Sequence, residues 1–95
     1  MIIRIVKMTF QEEAIPTFLE LFDQQRDNIR AFEGCEYLEL WQDSYDPRIC
    51  FTCSYWVDEE ALQVYRHSAL FQQTWQQAKV LFADKPQAWT LQRKG

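Results

Sequence analysis

The sequence predicts an α+β domain of the ferredoxin-like, split βαβ kind, with a four-stranded antiparallel sheet carrying its helices on one face. Three observations predict it. Strand-like and helix-like hydrophobic patterns follow one another in the order β-α-β-β-α-α-β. The turn cluster Asp43-Ser44-Tyr45-Asp46-Pro47 joins two aromatic-rich runs as a hairpin. Finally, 47% of the 95 residues are hydrophobic and 16% aromatic, more large apolar surface than one small core needs. That surplus calls for a second buried surface, either a partner subunit or a ligand cavity.

Each element has its own warrant. Residues 2–9 are rich in Ile, Val and Thr, with Ile3 and Ile5 on one face and Ile2, Val6 and Met8 on the other. A strand that is apolar on both faces wants cover on both. Residues 11–32 read as a helix, because Ile15, Phe18, Leu19, Phe22 and Ile29 form one stripe. Pro16 falls in its first turns, Glu12 and Glu13 suit its N-terminal dipole, and Gly34 stands just past its end. Residues 35–42 and 48–57 are the hairpin strands. Pairing Trp41 with Cys50 would put Leu38, Leu40, Ile49, Phe51, Cys53 and Tyr55 toward the helices, and a one-residue slip would exchange the faces. Asp58 caps a short helix carrying Ala61, Leu62 and Tyr65. Ser68 caps another, running to about residue 83, with Phe71, Trp75, Ala78 and Phe82 on one side. Residues 88–92 make the last strand, and residues 1–95 form one domain.

Composition narrows function by exclusion. The formal charge is −4 and no basic stripe exists, so nucleic acid and anionic membrane are not expected partners. No apolar run could span a bilayer, and the interrupted N-terminus does not read as a signal peptide, so a cytoplasmic protein is expected. Only two glycines occur, which excludes a phosphate-cradling loop. Cys50-x-x-Cys53 could supply half a zinc site, but on a strand this spacing points the two thiols to opposite faces. Reduced, buried thiols and no metal are the expectation.

The segment Tyr55-Trp56-Val57-Asp58-Glu59-Glu60-Ala61-Leu62, followed by Ser68-Ala69-Leu70-Phe71, carries a family resemblance. Phe32-Glu33-Gly34-Cys35 and the Asp43–Pro47 turn add to it. Over nearly its whole length the chain resembles the antibiotic-biosynthesis-monooxygenase-like family of dimeric α+β barrel proteins. The resemblance implies a homodimer whose two sheets form a barrel with the helices outside. It also implies one of three roles: cofactor-free oxygenation of quinol-type aromatics, haem degradation, or no known activity. In the haem-degrading branch the family uses an Asn on the first strand and a Trp and a His on the helical segment. The matching positions here hold Lys7, Tyr65 and Trp75. Without an imidazole as axial ligand, haem degradation is not expected. Many other members carry a His where this chain has Tyr65, and its only histidine is His67.

The candidate site follows. His67 is the one candidate general base, and Tyr65 is its catalytic partner. Trp75 and Phe71 would stack against a flat substrate, with Lys7 contacting it as a charge inside a strand. Each has a plainer alternative: a solvent-facing or capping histidine at a helix junction, aromatic rings that fill the core and the dimer interface, and a strand lysine that, like Glu39, sits in an interfacial ion pair or snorkels to solvent. The preferred expectation is a small-molecule dimer resembling cofactor-independent monooxygenases of quinol-type or polyphenolic aromatics, with no cofactor and a small aromatic ligand. The competing class is a non-catalytic binding or stress-related dimer, which rings filling their own pocket would favour.

Overall fold

β-branched Ile2, Ile3, Ile5, Val6 and Thr9 set the first strand. The computed structural model describes residues 1–95. Its elements are β1 (Ile2–Thr9), a 3-10 turn (Glu12–Ala14), α1 (Ile15–Arg30), β2 (Cys35–Gln42), β3 (Ile49–Trp56), α2 (Glu59–Arg66), α3 (Ala69–Lys79) and β4 (Gln87–Leu91). All strand pairs are antiparallel, in the order β2-β3-β1-β4. This is the ferredoxin-like arrangement that the order of elements predicts.

Two helices are shorter than their expected spans, residues 11–32 and 68 to about 83. Pro16 occupies the opening turn of α1, so the expected residues 11–14 form a tighter turn instead, with Ala14 donating to the Gln11 carbonyl at 2.9 Å. α3 ends at Lys79 rather than near residue 83, because the chain turns to rejoin β1. There Phe82 bridges Phe10, and Ala83 donates to the Thr9 carbonyl at 2.8 Å. Gly34 follows α1 at φ 88°, and a Cβ on it would come 2.5 Å from the Cβ of Ala61. Only glycine combines that backbone with that close approach.

The hairpin register differs from the expected pairing by one residue. Trp41 faces Phe51, not Cys50, and Gln42 faces Cys50. The turn sets this. The Asp43 carboxylate accepts from the amides of Tyr45 (3.0 Å) and Asp46 (2.8 Å), and the Asp43 amide donates to Ile49 (2.8 Å). The ladder shifts once more between Cys35 and Tyr37. The slip exchanges the faces of β3: Cys50, Thr52, Ser54 and Trp56 join Leu38 and Leu40 toward the helices. Ile49, Phe51, Cys53 and Tyr55 look the other way, beside Ile3, Ile5, Lys7 and Trp89. Cys50 and Cys53 therefore do point to opposite faces.

The core lies between the sheet and the helices. Its larger part joins Met8, Phe10, Phe18, Leu21, Phe22, Ile29, Leu38, Cys50 and Ala78. A smaller part joins Ile2, Trp56 and Leu62, and Tyr65 packs against both. Across the sheet, the open face carries Trp41 and Trp89, 44% and 42% exposed, and a stacked Tyr37–Tyr55 pair 4.5 Å apart. Lys7 and Glu39 stand on that same face. No helix is long and apolar enough to cross a membrane.

Candidate functional site

The junction of α2 and α3 builds the site. Asp58 caps α2 by accepting from the Ala61 amide at 2.8 Å. Eight residues later the helix stops, and Ser68 holds the break from both sides. Its Oγ donates to the Tyr65 carbonyl at 2.6 Å and accepts from the Phe71 amide at 3.1 Å. Two side chains from different helices are thereby fixed together. The Tyr65 ring meets Phe71 edge-on at 5.3 Å, and Phe71 stacks on Trp75 at 5.8 Å. On its other side Tyr65 stacks on Trp56 at 4.7 Å.

These rings do not close the space beneath them. A cavity of about 290 Å³ lies between them and the sheet, and Arg4, Val6 and Ser54 form its floor. Arg66 stands at the end of α2, and Pro86 to Ala88 complete the rim. A separate, smaller space of about 80 Å³ is lined by the same three rings together with Met8, Phe22 and Leu38. The first volume is at the lower end of what small-molecule sites offer, enough for a compact aromatic ligand.

The polar groups at this cavity are specific. Burial pushes the Tyr65 phenol well above its ordinary range, with the Cys35 thiol adding to the effect. At neutral pH it is therefore a hydrogen-bond donor and not a base. Arg4 donates from Nη1 to the Thr90 hydroxyl at 2.7 Å. Burial, and then the like charge of Arg66, lower its pKa below the guanidinium's usual value. The protein's ion pairs engage Arg26 and Arg48, and neither Arg4 nor Arg66 has a carboxylate partner. No Asp or Glu lines the cavity.

Of the five residues singled out in the sequence, the fold brings three together: Tyr65, Phe71 and Trp75. His67 is not with them. It forms the C-cap of α2, exposed, with Nδ1 2.8 Å from the Gln63 carbonyl. That carbonyl can only accept, so Nδ1 carries the proton in this bond, and His67 is not among the residues that line the cavity. Lys7 is also elsewhere, on the open sheet face between Phe51 and Gln87. His67 is thus the solvent-facing histidine of a helix junction, and Lys7 makes no ion pair within the chain. Sequence reasoning missed Arg4, Arg66 and Ser54. The signal for Arg4 was present, since it shares the parity of Ile2, Val6 and Met8, the face that packs on the helices.

Residues 1–77 match the sequence profile described as antibiotic biosynthesis monooxygenase. The chain belongs to the antibiotic biosynthesis monooxygenase family. The profile ends within α3, and likeness to solved structures extends over β4 as well. A crystal structure of an antibiotic biosynthesis monooxygenase superposes with a TM-score of 0.93 at 19% identity, covering 100% of both chains. A conserved protein from Methanosarcina mazei Go1 gives 0.91 at 21% identity, over 98% of this chain and 93% of that one. A protein of Mycobacterium tuberculosis gives 0.90 at 18%, over 99% and 95%. At these identities the likeness establishes the fold. No curated protein matches the chain. The monooxygenase-family fold therefore supplies the frame, and this chain's own side chains decide what the cavity holds.

Proposed function

We propose that the protein is a cofactor-independent oxygenase of quinol-type or polyphenolic aromatics, acting in the cytoplasm as a homodimer. The observation that carries the reading is the open cavity walled by Tyr65, Phe71 and Trp75. A flat ring stacks there, and the Tyr65 hydroxyl donates to one of its oxygens. The ionised substrate supplies the electrons: it reduces O2, oxygen adds at a ring carbon, and loss of water leaves a carbonyl. One oxygen atom then ends in the product and the other in water. Three free thiols, Cys35, Cys50 and Cys53, suit a reducing compartment.

The open sheet face supports the dimer. A two-fold interface must be self-complementary, with apolar groups and both signs of charge on one face. The open face combines the apolar Trp41, Trp89 and Phe51 with the anion Glu39 and two cations, Lys7 and Arg93, the latter 5.9 Å over the Tyr55 ring. Hydrogen bonding from Tyr37 and then Trp41 holds the Glu39 carboxyl below its ordinary value, so the anion persists for Lys7 of a second copy.

One observation favours a second reading, a binding protein without turnover. No carboxylate or imidazole lines the cavity to take a substrate proton. Oxygen uptake separates the two. With a naphthoquinol, uptake is expected to exceed autoxidation, and Trp75→Ala is expected to reduce the excess about threefold to tenfold, the worth of one aromatic contact. Quinol that binds without accelerating uptake would establish the binding protein instead.

A further inference from the structure

Two cations with no anion between them are the least settled feature of this molecule. Arg4 comes from the middle of β1 and Arg66 from the last turn of α2, and both line the cavity below the aromatic rings. Neither has a salt-bridge partner. Arg4 is partly buried and held by a single neutral hydroxyl, that of Thr90. A guanidinium presents five donors, so most of those on Arg4 have no partner within the protein. The only other titratable group lining the cavity is Tyr65, a donor. The cavity thus offers donors and positive charge from two directions, and its acceptor side is empty of charge. Of the other four arginines, two are ion-paired at the surface: Arg48 forks onto Asp46 at 2.9 and 3.1 Å, and Arg26 reaches Asp23 at 3.3 Å. What sets Arg4 and Arg66 apart is that they share one cavity.

We infer that the cavity binds its aromatic ligand as an anion, with the negative oxygen held between Arg4 and Arg66 and the flat apolar body against Phe71 and Trp75. The inference rests on the pocket reading above and names the charge state of what it takes. Bringing an anion between two like charges removes their repulsion, and charge-assisted bonds to guanidinium are the strong, geometrically specific kind. An oxyanion on an aromatic ring can be a carboxylate or an ionised phenol. Either would make a base in the cavity unnecessary, since the ligand arrives without the proton or loses it to solvent under the field of the two cations.

Three naphthalene probes of one shape decide it: 2-naphthoate, neutral 2-naphthamide and 2-naphthol, followed through quenching of tryptophan fluorescence. The naphthoate is expected to bind about 10- to 100-fold more tightly than the amide, the range that a charged hydrogen bond supplies. Added salt should weaken the acid and leave the amide unchanged. Arg4→Gln and Arg66→Gln should each reduce the acid's advantage while the amide still binds, which also shows that the variants fold. Absorbance of bound 2-naphthol assigns the source: the naphtholate band at neutral pH means an ionised phenol is accepted, and its absence alongside tight naphthoate binding means a carboxylate. Equal affinity for acid and amide, or an advantage that survives both substitutions, would overturn the inference and leave the aromatic pocket standing. Failure of every probe to bind would overturn both.

Discussion

Trp56→Ala is expected to destabilise the protein by about 3–5 kcal/mol, the usual cost of deleting a large buried aromatic side chain. Trp56 is fully buried at the end of β3. It packs with Ile2 and Leu62, stacks on Tyr65 at 4.7 Å and meets Phe32 edge-on at 6.4 Å. Its indole Nε1 donates to the Ser54 hydroxyl at 2.9 Å, and Ser54 is itself buried. Alanine removes the ring and also leaves that hydroxyl without its partner, so cavity and unmet polar group act together. Domains of this size have about 5–15 kcal/mol in total, and a loss of this order takes a large share of it. Urea melts measure the effect as a lowered midpoint. Trp56→Phe should recover part of it, because it restores packing without the hydrogen bond. An unchanged midpoint in Trp56→Ala would contradict the packing described for the end of β3.

Replacing Trp41 and Trp89 together with Glu is expected to dissociate the proposed dimer. Both indoles lie on the open sheet face, 44% and 42% exposed in the single chain. Central aromatic residues dominate such interfaces, at about 2 kcal/mol or more each, which is roughly 30-fold in affinity per residue. Here two glutamates also meet their own copies and Glu39 across a two-fold axis. Sedimentation at micromolar concentration should give twice the chain mass for the parent protein and the chain mass for the variant, with circular dichroism unchanged. A monomeric parent protein would remove the homodimer and with it the barrel of two sheets.

The legibility of this fold in its sequence depends on range. β1 and β2 could be bounded directly because alternation and turn residues are local signals, and Asp58 and Ser68 cap where capping chemistry requires. The hairpin register could not be read, because Asp43 fixes it through contacts within the turn and the ladder shifts again at Cys35–Tyr37. The site divides along the same line. Tyr65, Phe71 and Trp75 were legible from helical spacing on one apolar side. Lys7 was drawn into the site by its rarity as a charge within a strand, yet it shares parity with Ile3 and Ile5 and faces away. Arg4 has the other parity, and Arg66 reaches the cavity from another element. Their meeting is a tertiary fact that no local pattern reports.

The four tryptophans supply one direct test of where a ligand sits. Trp75 walls the cavity, Trp56 is buried behind Tyr65, and Trp41 and Trp89 stand across the sheet. Each indole N–H gives its own resonance in a ¹⁵N-labelled sample. Titration with 2-naphthoate is expected to move the Trp75 signal most, Trp56 less, and Trp41 and Trp89 not at all. Shifts concentrated on Trp41 and Trp89, with Trp75 unmoved, would place the ligand against the open sheet face and contradict the aromatic cavity as the functional site.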